Sequence, residues 1–228
     1  MEAKQRNEEL LWFPTERAAY LAKWLWVLFF WSLFSGIAIV AVQTDPVQIL
    51  IQLRLESIIG SPDLVPVALR LTGIGGAAFL FVKLGRVSYC YRCTAFWLLL
   101  LAVVNLVLVG KGSNSPTWWA MNLLGLVAAV GRSHQSYHGH AELLDGLRPV
   151  LAKRWRRLWV WCIGLILGLP VGSLVARVFP SLGGNLLAVS VLGLAVVEIL
   201  ELICLWKTAA AFQKDVLEAV LPDADFPQ

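Results

Sequence analysis

Residues 185–206 read NLLAVSVLGLAVVEILELICLW, an apolar run broken by two glutamates and closed by Trp206 and Lys207. A bilayer span needs roughly 20 mostly apolar residues, and this stretch meets that length. Five more apolar runs precede it, at 24–42, 64–82, 94–110, 117–131 and 158–178. The pattern predicts an all-α, polytopic helical membrane protein of six transmembrane helices. The third run is marginal in length and the fourth is short, so residues 94–131 form either two spans or one re-entrant hairpin.

Charge placement orients the bundle. If every run crosses, all nineteen Lys and Arg except Arg54, Arg70, Lys111 and Arg177 fall on the side that holds both termini. Short loops rich in Lys and Arg stay cytoplasmic, so both termini are expected in the cytosol. Composition agrees with burial in lipid. Charged residues are 15% of the chain and hydrophobic ones 58%, whereas soluble domains carry about 25% charged residues. The formal charge of +4 therefore serves orientation and contact with anionic membrane lipids, not nucleic acid, which is not an expected partner. No cleavable signal peptide is expected, because Met1 to Asn7 is polar and the first apolar run is too long. Ten of the eleven tryptophans lie near span ends, where amphipathic rings prefer the head-group level. Trp31 sits deeper.

Three regions follow from this reading. Residues 1–23 form an amphipathic cytosolic lead. Residues 24–206 form the membrane bundle, with an interfacial amphipathic helix at 45–60 and a basic cytosolic loop at 132–157. Residues 207–228 form a cytosolic tail, in which Phe212, Val216, Leu217 and Val220 make one apolar stripe. Amphipathic segments of this kind lie in the membrane interface.

Within the fifth span Gly164, Gly168 and Gly172 recur every four residues. Small residues let helix backbones approach closely in lipid, where no hydrophobic force separates helix from tail. This ridge is expected to drive helix association, including self-association of copies. Lys153, Arg154, Arg156 and Arg157 are expected at the lipid surface.

Charge inside a span is costly, about 2.5–3.5 kcal/mol on insertion scales, and so marks a partner or a function. Arg70 lies within the second span, Asn105 at mid-depth in the third, and Glu198 and Glu201 in the sixth. They read as a proton or solute path, or as a structural Arg–Glu pair with an interhelical amide bond. On the cytosolic side, Cys90 and Cys93 form a C-x-x-C, and His134 and His138 an H-x3-H. A Cys2His2 zinc site is geometrically open to them, although the loops lie far apart and no metal is assigned. No hydrolase elbow, phosphate-binding loop or H-E-x-x-H motif occurs. The chain reads as non-enzymatic, and no cofactor is expected.

Leu84-Gly85-Arg86-Val87-Ser88-Tyr89, with Trp97 downstream, resembles the L-x-R-x-x-Y spacing of the peroxin-11 family of peroxisomal membrane-elongation proteins. The resemblance covers residues 80–208, including the basic Arg148–Arg157 stretch before the last apolar helix. It implies a peroxisomal membrane, cytosolic termini, and membrane shaping by a self-associating scaffold before organelle fission. The family's soluble amphipathic N-terminal region is replaced here by a Trp-rich span, leaving residues 45–60 as the wedge. The alternatives are a pore or secondary transporter using Arg70, Asn105 and Glu198, or an accessory subunit of a larger membrane complex.

Overall fold

The computed structural model describes residues 14–42, 64–108 and 115–220. The regular elements there are six helices: α1 (Pro14–Val42), α2 (Leu64–Leu84), α3 (Tyr89–Leu108), α4 (Pro116–Leu144), α5 (Pro149–Val178) and α6 (Pro180–Val220). Each helix packs against its neighbour in sequence, and α1 packs against α6, so the up-and-down bundle closes into a ring. This is an all-α integral membrane protein. Five helices are long and apolar enough to span a bilayer. The exception is α4, whose second half carries Arg132, three histidines and Glu142.

Local chemistry sets the helix ends. Ser115 caps α4, its hydroxyl accepting a hydrogen bond from the Trp118 amide at 3.1 Å, with Pro116 in the first turn. That is the usual start signal, since the first turn has donors without helical partners. Between α5 and α6 only Phe179 intervenes. The two helices meet so closely there that a side chain on Gly183 would run into the Ala176 backbone.

The first turns of α1, α3 and α5 and the last turns of α2, α4 and α6 lie at one pole, which holds most of the basic residues described. Tyr20 donates to the Lys83 carbonyl at 2.9 Å, and Arg17 to that of Val87 at 3.4 Å. Trp26 Nε1 donates to Gln213 at 2.9 Å. The Leu84–Tyr89 motif is thus the α2–α3 turn, with Leu84 and Val87 buried and Tyr89 exposed. Outward-facing Phe34, Phe96, Val103, Leu174 and Leu192 are exposed, which suits a lipid-facing perimeter.

Several expectations need correction. Residues 132–157 are not a loop. Helix α4 continues to Leu144 and α5 begins at Pro149. Ser133, Ser136, Tyr137, His140, Ala141 and Leu144 are buried at the three- and four-residue spacing of a helix face, and this face holds the segment helical despite its polar composition. Where they are described, the lead and tail continue helices of the bundle. Helix α1 runs through the boundary at residue 23, α6 runs through that at 206, and Phe212 is buried in the core. The proposed interfacial helix at 45–60 lies outside the described residues.

Candidate functional site

An open cavity of about 420 Å³ is lined by residues of α1, α2, α3, α4 and α6, within the roughly 300–1,000 Å³ typical of small-molecule sites. Helix α1 contributes Trp31, Ser32 and Ser35, and α2 contributes Arg70, Gly73 and Ala77. From α4 comes Arg132, and from α6 come Glu198 and Glu201. The cavity extends from Arg70 and Val40, towards the pole opposite the basic one, to Leu98 and Leu205 nearer the basic one. Arg70 and Glu198 are exposed, so the cavity is open and not sealed.

Each wall has a local cause. Trp31, the tryptophan outside the aromatic belt, donates its indole N–H to the Gly73 carbonyl at 3.0 Å. Its ring lies where a side chain on Gly76 would stand. Glycine at that position lets a tryptophan fill the α1–α2 seam and form part of the cavity wall. Arg132 reaches the interior from the continuous α4 and acts electrostatically on Glu198 and Glu201. Tyr137, one turn further along α4, donates to Glu201 Oε2 at 2.8 Å.

Above the cavity, towards the basic pole, lies a buried polar layer. The Tyr91 hydroxyl is hydrogen-bonded to His140 Nδ1 at 2.8 Å. His140 stacks on Trp155 with ring centroids 4.4 Å apart. Trp155 Nε1 donates to Thr208 Oγ1 at 3.0 Å, and Thr208 donates to the Cys204 carbonyl at 2.8 Å. The layer therefore ties α3, α4, α5 and α6 together through side chains. Burial pushes the His140 imidazole down to a pKa of about 3, because a charged ring has no water there. His140 is a neutral structural histidine.

Of the intramembrane residues singled out in the sequence, Arg70, Glu198 and Glu201 come together and Asn105 does not. Its amide donates to the Leu101 carbonyl of its own helix at 2.8 Å. Arg132 and Tyr137 were missed because the segment read as a loop. The signal that would have found them is the buried-face periodicity from Ser133 to Leu144.

The possible metal ligands also separate. His134 and His138 stack at 4.2 Å and face Trp159 of α5. Cys90 meets Glu142 and Gly139, on the side of α4 turned towards α3. The histidine pair thus meets α5, whereas Cys90 meets the next turn of α4 from α3. Among the described residues no group of three His, Cys, Asp or Glu is placed to hold a metal.

The glycine ridge is used inside the chain. Side chains at Gly168 and Gly172 would meet Ser190 and Leu187 of α6, and one at Gly193 would meet Leu165 of α5. Gly164 faces open space. Lys153, Arg154, Arg156 and Arg157 are exposed on the first turns of α5, and Arg156 pairs with Asp145.

Comparison with family models, curated proteins and solved structures finds no match to this chain.

Proposed function

We propose that this membrane protein binds a small charged solute in its central cavity and passes it across the bilayer, as a pore or carrier and not as an enzyme. One observation carries the reading. Arg70, Arg132, Glu198 and Glu201, from three different helices, line a single open cavity. Ionisable groups in the membrane are retained where they face water, each other or a permeant species. Cations and anions on the same wall favour a solute that presents both signs, or an ion together with a proton. The test is flux into liposomes bearing the purified chain, across a panel of small ions and zwitterions. Flux that disappears with Glu198→Gln and Arg132→Gln, and persists with Asn105→Ala, is the expected result. No flux of any panel member above protein-free liposomes would remove the proposal.

A second reading is membrane shaping of the peroxin-11 kind, favoured by the exposed basic turns of α5. Location and organelle shape, scored together for a tagged copy at low and high expression, test it. Elongated or multiplied peroxisomes support this reading, and another membrane with no change of shape counts against it.

A further inference from the structure

The charges that line the central cavity balance. Arg70 and Arg132 oppose Glu198 and Glu201, so the empty cavity is neutral when all four are ionised. They divide unevenly in space. Arg132 is coupled more strongly to Glu201 than to Glu198, and Glu201 also accepts the Tyr137 hydrogen bond. Glu198, one turn away on α6, receives no hydrogen bond among the described residues. The charges that act on it most are Arg132 and Glu201, and Arg70 is not among them. Arg70 of α2 has no ion pair among the described residues. Two carboxylates thus share one guanidinium, and a second guanidinium is left over.

The remaining surroundings are uncharged. Helix α1 brings Trp31, Ser32 and Ser35 to the cavity, and α3 brings Leu98. Helix α5 brings Cys162 within electrostatic reach of Arg132 and, among the described residues, lines no part of the cavity.

A permeant ion upsets this balance, and the cost depends on its sign. Net charge is expensive within the membrane. An added cation is offset only if an arginine loses its proton, which arginine does not do in proteins. An added anion is offset when a carboxylate gains one. Like charge a turn away favours that gain, and Glu198 is the carboxylate with no donor to lose. Anion and proton then each strengthen the binding of the other, by the reciprocity of linkage.

We propose that the cavity carries a small monovalent oxyanion together with one proton, the anion on Arg70 and the proton on Glu198. The proposal rests on the transport reading above and names its solute. A planar guanidinium takes two oxygens of a carboxylate or similar group at once. Glu198 takes its proton from water on one side and returns it on the other, while Glu201 stays ionised between Tyr137 and Arg132. One charge of each sign moves, so the step is electroneutral.

The experiment uses the full chain in liposomes with a trapped pH dye, and labelled lactate and methanesulfonate as probes, against protein-free liposomes. Methanesulfonate stays ionised, so a proton that enters with it rides on the protein. An inside-alkaline gradient of one pH unit should accumulate the anion about tenfold, as one proton per anion requires. The interior should acidify, and an imposed membrane potential should leave the rate unchanged. Glu198→Gln should lose this accumulation but keep exchange of labelled for unlabelled anion, which also shows that the variant is folded. Arg70→Gln should lose both, and Arg70→Lys should restore accumulation with a higher KM. Anion uptake that moves no proton, or that follows the membrane potential, overturns the proposal. So does loss of exchange in Glu198→Gln, which makes Glu198 part of the solute site. Uptake of alanine or tetramethylammonium with both anions excluded overturns it and leaves transport standing. Absence of all uptake removes the transport reading as well.

Discussion

The Tyr137 hydroxyl donates to Glu201 Oε2 at 2.8 Å, joining α4 to α6 where the central cavity meets the buried polar layer. Tyr137 is buried, so loss of its hydroxyl is not made good by water. A net hydrogen bond of this kind contributes about 1 kcal/mol. Tyr137→Phe should lower stability by about that amount, measured by thermal unfolding in detergent. Glu201→Gln keeps a carbonyl acceptor and should cost less. Since Tyr137 does not line the cavity, flux through Tyr137→Phe should survive at temperatures where the fold is intact. Flux abolished there would make the hydroxyl part of the path.

Gly168 and Gly172 predict a stability effect where the sequence alone suggests an oligomerisation effect. A side chain at Gly168 meets Ser190 and one at Gly172 meets Leu187, both within the chain. Overpacking a tight contact costs about 1–3 kcal/mol. Gly168→Leu should therefore lower the unfolding temperature, and Gly164→Leu, which points into open space, should not. Crosslinking between copies that falls with Gly164→Leu, at unchanged stability, would place a second copy on that face.

What was legible in the sequence follows the strength of the periodic signal. Five spans stand out because lipid-facing and core-facing residues are both apolar, so composition alone reveals them. The second half of α4 was hidden for the opposite reason. Arg132, His134, His138, His140 and Glu142 resemble a polar loop in composition, yet Tyr137, His140 and Ala141 are buried and hold the helix to its neighbours. Missing that helix removed Arg132 from the central site and paired the histidines with cysteines, whereas His134 and His138 stack on each other and face Trp159. The intramembrane charges Arg70, Glu198 and Glu201 were legible individually, because each breaks an apolar run. Asn105 was indistinguishable from them by position, and only its bond back to Leu101 sets it apart.

His140 should make the fold acid-sensitive. Its ordinary value of 6.5 is lowered to about 3 by burial, so the unfolded chain takes up a proton that the folded chain refuses. Stability from keeping the ring neutral is complete above about pH 6.5 and declines as pH falls towards about 3. The slope approaches about 1.4 kcal/mol per pH unit for one proton. His140→Phe removes that contribution together with the Tyr91 bond, so it should be less stable at neutral pH and show a flatter acid limb. An acid limb of unchanged slope in unfolding curves would assign the proton uptake elsewhere.

Cysteine reactivity provides an orientation test that needs no tag. Cys90 and Cys93 are partly exposed near the basic pole, whereas Cys162 and Cys204 are buried. Free thiols react according to access and thiolate character. If the basic pole faces the cytosol, a membrane-impermeant maleimide should leave intact cells unlabelled. It should label the Cys90/Cys93 pair once the plasma membrane alone is permeabilised, and Cys93→Ser with Cys90→Ser should abolish that signal. Cys162 and Cys204 should react only after denaturation, since the α4, α5 and α6 contacts cover them. Labelling of the pair in intact cells, or only after internal membranes dissolve, would reverse the orientation.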